Sequence, residues 1–203
     1  MTSKLPGMRF AEIKSHLNRF RVGIAGAGGL GSNCAVALAR TGIGTLVICD
    51  NDIVELGNLN RQYYFSSQVG MAKSEALMEN ITGINPEVKV ISHFKKLDSS
   101  NIPDIFTGCD VIVEAFDTSD MKEMLIETIQ EKMPGVPVVA GSGLAGWGEI
   151  NSLKCRKIDE TLFVCGDEST EVSDEMPPLA PRVSIVANMQ ADTVIEILIK
   201  KKH

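Results

Sequence analysis

Residues 21–31 read Arg-Val-Gly-Ile-Ala-Gly-Ala-Gly-Gly-Leu-Gly, and this stretch determines the fold. Its first five residues are a short apolar run, which is typical of a buried parallel strand. The next six match G-x-G-x-x-G, and an Ala-rich segment predicted to be helical follows them. Glycines in that position let the backbone turn tightly and approach a phosphate, whose charge the helix N-terminus attracts. The stretch therefore predicts a nucleotide-binding strand–loop–helix unit.

Apolar strand patterns and helical patterns alternate from this unit onward. Such alternation predicts an α/β fold, namely a Rossmann-like, doubly wound, mainly parallel sheet with a C-terminal antiparallel extension and a closing helix. Strands are predicted at 21–25, 45–49, 87–92, 110–115 and 136–140, with the antiparallel extension at 149–157 and 162–165. Helices are predicted at 8–19, 34–39 (ending near residue 42 or 44), 71–83, 119–132 and 183–200.

The 203 residues are predicted to form one domain, because single cores commonly serve chains of about 100–200 residues. Within it, residues 1–20 hold an N-terminal helix and residues 21–145 the nucleotide-binding core. Residues 146–203 hold further strands, the C-terminal helix and, at 166–181, an acidic and Pro-rich loop that is expected to be mobile. Residues 51–68 form a long polar loop with room for one short helix, and loops of that length are usually functional.

Composition excludes several classes of function. A net charge of −6 argues against nucleic acid as a partner. No apolar run is long enough to span a membrane and no signal-peptide pattern is present, so a cytoplasmic location is expected. The five cysteines include no C-x-x-C pair, which argues against a structural zinc site or a redox pair. Cys34, Cys49 and Cys109 are expected to pack as small hydrophobic residues.

The glycine loop alone would favour NAD and a dehydrogenase, with Asp50 accepting hydrogen bonds from a ribose. The polar and cationic residues that follow favour ATP instead, because reaction at its α-phosphate needs cations and a metal. Arg61 offers a bidentate guanidinium and Lys73 a point charge. Asp117, at the end of the fourth strand, could hold Mg²⁺. Each residue also has a purely structural interpretation. Arg61 could form a surface ion pair, Lys73 could be an ordinary lysine at a helix start, and Asp117 could cap the helix that follows it.

The order of motifs is more discriminating than the loop itself. G-x-G-G-L-G is followed by D-x-D-x-V-x-x-x-N-L-x-R-Q and then by V-G-x-x-K. This tract, within residues 21–145, resembles the ThiF/MoeB adenylyltransferases and the adenylation domains of ubiquitin-activating enzymes. The segments Cys165-Gly166-Asp167 and Ala180-Pro181-Arg182-Val183 further resemble the compact ThiF-like proteins associated with thiazole (thiamine) biosynthesis.

The resemblance implies ATP-dependent adenylylation of the C-terminal Gly-Gly carboxylate of a ubiquitin-like, ThiS-like sulfur carrier by a homodimer that uses Mg²⁺. It implies catalytic roles for Arg61 and Lys73 and magnesium binding by Asp117. Residues 146–203 would then face the carrier. The nucleotide-binding residues that it implies are Gly26, Gly28, Gly29, Leu30, Gly31, Asp50, Asp52, Asn58, Arg61, Gln62 and Lys73.

Other residues carry weaker expectations. Cys165 is the first candidate for a reactive thiol and Cys155 the second, with a core cysteine as the plainer interpretation of Cys165. Arg9 is the nearest candidate for an arginine that reaches a partner subunit's site, with a plain surface arginine as the favoured interpretation. Trp147 is expected to be a packing anchor, with an aromatic residue at an interface as the alternative. Alternatives that stay open are another carrier (for molybdopterin or cysteine synthesis, or RNA thiolation), an NAD-dependent oxidoreductase and a non-catalytic nucleotide-binding scaffold.

Overall fold

In the computed structural model, which describes residues 7–201, strands and helices alternate along most of the chain. The strands are β1 (Arg21–Ala25), β2 (Thr45–Asp50), β3 (Lys89–Phe94), β4 (Val111–Glu114), β5 (Val138–Gly141), β6 (Lys154–Lys157) and β7 (Leu162–Gly166). The helices are α1 (Phe10–Leu17), α2 (Gly29–Thr41), α3 (Lys73–Ile84), α4 (Ile102–Ile105), α5 (Ser119–Lys132) and α6 (Ala180–Lys200). Short 3-10 turns cover Leu56–Asn58, Ser66–Gln68 and Ile150–Ser152.

The strands form one sheet in the order β3-β2-β1-β4-β5-β7-β6. All neighbouring pairs are parallel except β6 and β7, which are antiparallel. The predicted α/β class, the mainly parallel sheet and the antiparallel extension are therefore confirmed. The chain runs outward from β1 to β3 on one side and then resumes on the other side at β4. Ligands of open α/β sheets bind at such a switch point, beyond the carboxyl ends of the strands.

Helices cover both faces of the sheet, so the central strands are buried on both sides and are nearly continuous in apolar residues. One apolar cluster joins the sheet to α1, α2, α3 and α6. The other joins it to α4 and α5, with Phe106 among its fully buried side chains. The predicted packing of Cys34, Cys49 and Cys109 is confirmed, since all three are buried.

The structure corrects several predicted boundaries. Helix α2 begins at Gly29, not at residue 34, because the glycine loop turns directly into helical backbone. Helix α4 was not predicted: it has only 4 residues, with Pro103 near its start, too short for a helical period to register. Strand β6 is shorter than expected because Glu149 has a positive φ of 44° and a 3-10 turn follows it. Within residues 7–201, no helix is both long and apolar enough to cross a membrane.

Candidate nucleotide site

The glycine loop is shaped by close backbone approaches. Gly26 has a φ of +94°, which side-chain-bearing residues rarely adopt. A Cβ atom on Gly31 would lie 1.8 Å from the carbonyl oxygen of Gly26, so only glycine fits there. A Cβ atom on Gly28 would meet nothing closer than the Nε2 of Gln62, at 3.8 Å. The side of the loop at Gly28 therefore has room for a group that the protein itself does not supply.

Asp50, the last residue of β2, holds this loop in place. Its Oδ2 accepts a hydrogen bond of 2.6 Å from the Ala27 N–H, and its Oδ1 accepts one of 2.7 Å from the Asp52 N–H. Burial raises the pKa of Asp50, and the two backbone hydrogen bonds oppose that rise. An ionised carboxylate has about four acceptor positions. Asp50 can therefore bind a ribose hydroxyl while still anchoring the loop.

The segment after the first 3-10 turn lies against the loop. The Cγ of Arg61 is 3.7 Å from the position that a Cβ on Gly29 would take. The Arg61 guanidinium donates through Nη1 to Asn60 Oδ1 at 2.8 Å and to Gly57 O at 3.3 Å. A guanidinium carries five N–H donors, so capacity remains for an anion.

Gln62 and Asn58 hold different positions around this segment. The side chain of Gln62 is buried beside Gly28, and its Oε1 has no hydrogen-bond partner. Asn58 is used locally instead: its Oδ1 accepts the Glu55 N–H at 3.0 Å, and its carbonyl accepts the N–H groups of Arg61 and Gln62. The structure thus brings Arg61 and Gln62 to the loop and uses Asn58 to shape the turn that presents them.

Lys73 and Asp52 form an ion pair beside Asp50. The Lys73 Nζ lies 2.8 Å from Asp52 Oδ2; the lysine side chain is 8% exposed and the aspartate side chain 59%. A lysine buried to this extent is unusual unless it is paired. The pair therefore fixes the Lys73 ammonium group near the end of β2, at the base of α3.

Tyr64 and Ser32 connect these parts, and neither role was predicted from the sequence. The Tyr64 hydroxyl is within 2.6 Å of Ala27 O and 3.3 Å of Lys73 O. Ser32 Oγ donates to Gly28 O at 2.6 Å and accepts the Tyr63 N–H at 3.0 Å. The only signal for Tyr64 in the sequence is an aromatic residue within a polar loop. Its hydrogen bonds could not be predicted, because the partner residues are distant in sequence.

Asp117 lies three residues beyond β4 and is exposed. The end of β4 touches the loop: a Cβ on Gly26 would lie 2.9 Å from Ala115 O. No group of three or more His, Cys, Asp or Glu side chains within residues 7–201 is arranged to hold a metal ion. The single carboxylate of Asp117 is compatible with Mg²⁺, which is often held by one or two carboxylates together with phosphate oxygens and water.

A model of the ThiF family matches residues 5–203 of the chain. The chain belongs to the ThiF family. Among curated relatives, the adenylyltransferase and sulfurtransferase UBA4 of Saccharomyces cerevisiae is 39% identical over 143 residues, covering 70% of this chain and 32% of the relative. The SAMP-activating enzyme E1 of Haloferax volcanii is 37% identical over 132 residues, covering 64% and 48%. The chain thus spans between one third and one half of the length of these relatives.

Solved structures share the fold of this ThiF-family chain. The E. coli tRNA N6-threonylcarbamoyladenosine dehydratase TcdA, in complex with ATP, has a TM-score of 0.83 at 21% identity, covering 92% of this chain and 88% of that chain. E. coli MccB with a modified MccA has a TM-score of 0.69 at 23% identity, covering 93% and 59%. At these identities the likeness concerns the fold alone.

The two later motifs of the ThiF-family chain meet in space. Asp167 and Arg182 form an ion pair whose side chains are 3% and 6% exposed, and Arg182 Nη1 also donates to Gly148 O at 2.6 Å. Burial alone would raise the pKa of Asp167, but hydrogen bonds from Thr170, Ser169 and Arg182 outweigh it and lower that pKa. The start of the 167–179 loop is thereby fixed to the start of α6.

The remaining candidates lie apart from the loop. Cys165 is buried, whereas Cys155 is exposed, so accessibility reverses the expected order of the two thiols. Arg9 is exposed and pairs with Glu12 of its own helix at 2.9 Å. Trp147 is 65% exposed, so the expectation of a packing anchor is wrong. A tight loop explains this exposure, because the flanking Gly146 and Gly148 have positive φ angles.

Proposed function

We propose that this chain transfers AMP from ATP to the C-terminal carboxylate of a ubiquitin-like sulfur carrier, releasing pyrophosphate. Membership of the ThiF family supports the reaction class. The observation that carries the proposal is the convergence of Asp50, Arg61 and the Lys73–Asp52 pair on one glycine loop. A hydride-transfer site mostly needs an apolar nicotinamide pocket, whereas charged triphosphate chemistry needs these cations.

Each part has a place in the proposed reaction. The N-terminal N–H groups of α2 would contact phosphate oxygens from the open side of Gly28. Asp50 would accept a ribose hydroxyl. Arg61 and Lys73 would balance the negative charge on the triphosphate. A carrier carboxylate oxygen would then attack the α-phosphorus, and the bond from that phosphorus to the oxygen of the leaving pyrophosphate would break. Positioning and charge neutralisation supply most of the acceleration in such reactions.

Asp117 is the residue that we propose for magnesium. When bound, the ion would neutralise charge on the phosphate oxygens, and Asp117 would orient it through a carboxylate oxygen. The exposure of Asp117 at the end of β4 fits this role, because the carboxylate can meet a metal that arrives with the nucleotide. The Gln62 Oε1 that has no partner is a second polar group available to the bound nucleotide or its water.

The carrier is proposed to be ThiS-like, with a role in thiazole formation and with the enzyme acting as a homodimer. The support is the resemblance of Cys165-Gly166-Asp167 and of residues 180–183 to compact ThiF-like proteins. The glycine-rich segment 141–148 would allow the close approach of an extended Gly-Gly tail. Carriers of other sulfur pathways would use the same chemistry.

Carrier-dependent exchange of pyrophosphate into ATP tests the reaction. We expect exchange with Mg²⁺ and a ThiS-like carrier ending in Gly-Gly, and none with a carrier that lacks the terminal glycine. Exchange only with another Gly-Gly-ended carrier would overturn the thiamine assignment and keep the chemistry. ATP binding without exchange across a panel of carriers would refute the catalytic proposal in favour of a scaffold.

Variants assign the roles within this assay. Arg61→Ala should lower exchange by about 10²–10³-fold, the usual effect of removing one group that stabilises developing charge. Arg19→Ala is the matched control. Arg19 is exposed, precedes β1 in the sequence and contacts His16, three residues before it. Asp117→Ala should abolish exchange while leaving the unfolding midpoint unchanged, whereas Asp120→Ala, at an exposed position of α5, should be active. Full activity of Asp117→Ala would disprove its metal role.

A further inference from the structure

Cys155 and Cys165 stand directly opposite each other on β6 and β7. The Ile158 N–H donates to Leu162 O at 2.8 Å, so Ile158 and Leu162 are a hydrogen-bonded pair of this antiparallel ladder. Hydrogen-bonded and non-hydrogen-bonded pairs alternate along such a ladder. Counting along the register, Cys155 and Cys165 form a non-hydrogen-bonded pair, in which the Cα atoms are about 4.5 Å apart and the side chains are closest.

The two sulfur atoms also lie on the same face of the sheet. The Thr193 Oγ1, on α6, is 3.1 Å from the Cys155 Sγ and 3.8 Å from the Cys165 Sγ. A disulfide requires Cα atoms roughly 4.4–6.8 Å apart and Cβ atoms that point toward each other. The register meets the first requirement, and the shared hydroxyl partner shows that both sulfur atoms lie together beneath α6.

The environments of the two thiols are different. Cys155 is exposed and Cys165 is completely buried. Hydrogen bonding with Cys165, and with Thr193, lowers the pKa of Cys155 to about 6, although burial and the charges of Glu196 and Asp192 on α6 oppose that change. The same hydrogen bond and burial raise the pKa of Cys165. Cys155 is thus the accessible thiolate, and Cys165 is a thiol held beside it.

We propose that Cys155 and Cys165 form a redox-active dithiol that exchanges with small-molecule disulfides, a modification site separate from the nucleotide loop. The Cys155 thiolate would attack one sulfur of the small disulfide, form a mixed disulfide and release the other half as a thiolate. Cys165 would pass its proton to that thiolate and attack the Cys155 sulfur, releasing the second half. One small disulfide becomes two thiols, and two cysteines become one cross-strand disulfide.

This pairing differs from what the linear sequence indicated. The absence of C-x-x-C argued against a redox pair, but that spacing rule concerns cysteines on one loop or helix turn. Here ten residues separate the cysteines, and the β6–β7 turn brings them together. The edge position of β6 leaves Cys155 open to a small reagent.

The decisive experiment uses the reduced full chain and oxidised glutathione. After an acid quench and alkylation of the remaining thiols, peptide mass spectrometry should find Cys155 linked to Cys165. Two chain thiols should be lost for each disulfide consumed, and two molecules of reduced glutathione should be released. Persistent glutathione on Cys155 without a cross-link, or no reaction at Cys155, would overturn the proposal.

Variants separate the two roles. Cys165→Ser should stop at a stable mixed disulfide on Cys155, and Cys155→Ser should form neither product. Cys49→Ser is the matched control: Cys49 is a buried cysteine of β2, and this variant should form the cross-link as the wild type does. A cross-link lost equally in all three variants would show that it reports unfolding and would refute the assigned pair.

The pH profile of alkylation tests the positioning of Cys165. Cys155 should react with iodoacetamide with a midpoint near pH 6 in the wild type. Cys165→Ala removes the donated hydrogen bond, so the midpoint should rise toward about pH 8.5, the value of an ordinary thiol. An unchanged midpoint would show that the two thiols do not interact and would contradict the proposal.

Discussion

Gly31 and Gly28 belong to one loop but tolerate a methyl group very differently. Gly31→Ala would place a carbon 1.8 Å from Gly26 O, and this oxygen is a backbone atom that cannot move aside cheaply. We expect a loss of about 3 kcal/mol or more in the free energy of unfolding, at the upper end for overpacking. Urea denaturation measures it. Gly57→Ala is the control, because no atom lies within 4 Å of its added Cβ.

Gly28→Ala should behave in the opposite way. The added methyl group fits the protein, with its nearest neighbour 3.8 Å away, but it would stand where the backbone must approach a phosphate. We therefore expect a nearly unchanged unfolding midpoint and a loss of ATP affinity of at least about tenfold by calorimetry. ATP affinity equal to that of the wild type would mean that the open side of the loop is not the phosphate site.

For individual residues, the sequence identified candidate site residues more readily than it identified their hydrogen-bond and ion-pair partners. Asp50 was predicted to end the second strand and to bind a ribose; the structure confirms its place in β2, and the ribose contact stays a prediction. Its hydrogen bond to Ala27, which fixes the loop, could not be predicted because it crosses from one strand to the turn after another. The pairing of Lys73 with Asp52 was hidden for the same reason.

Two elements are joined by the buried Asp167–Arg182 pair, which links the end of β7 to α6. Arg182→Met would leave the Asp167 carboxylate buried without its cation, which costs about 3–5 kcal/mol in other proteins. We expect a loss of about 3 kcal/mol, since Ser169 and Thr170 still donate to the carboxylate. Arg156→Met is the control, because Arg156 pairs with the neighbouring Glu168 near the surface and should cost less than about 1 kcal/mol.

The same pair gives a pH dependence of stability. The folded-state pKa of Asp167 lies below its unfolded value, so its contribution is fully present above the unfolded pKa of about 3.9. The contribution is lost as the pH falls from there toward the folded pKa. Chemical denaturation from pH 7 to pH 3 should show this decline in the wild type and a smaller one in Asp167→Asn. Equal slopes for the two proteins would refute this account.

Long periodic elements were predictable, whereas short ones and termini were not. β1, β2, α5 and most of α6 agree with their apolar patterns to within a few residues. The start of α2 was predicted five residues too late. Its first three residues are Gly29, Leu30 and Gly31, which belong to the glycine loop, and helix propensity does not identify a helix start in such a motif. The strand predicted from residue 149 begins only at Lys154, because Glu149 has a positive φ and the 3-10 turn Ile150–Ser152 follows it.

For the whole molecule, the nucleotide should act as a stabilising ligand. ATP at 100 times its dissociation constant should stabilise the chain by about 2.7 kcal/mol. For a chain of this size that corresponds to a rise of roughly 5–10 °C in the unfolding midpoint. Differential scanning fluorimetry with ATP and with NAD shows which of the two nucleotides binds the glycine loop. Stabilisation by NAD alone would reverse the functional assignment in favour of an oxidoreductase.

Helix α6 has a consequence for how this molecule is made. Its Val183 lies against the glycine loop, 2.9 Å from where a Cβ on Gly29 would be, and its Gln190 donates to the carbonyls of Glu114 and Val139. A chain leaves the ribosome N-terminus first, so the glycine loop and strands β1 to β7 leave the exit tunnel before residues 180–200 do. The nascent chain therefore carries an uncovered loop, and competence for nucleotide would arise in one step, when residues 180–200 leave the exit tunnel.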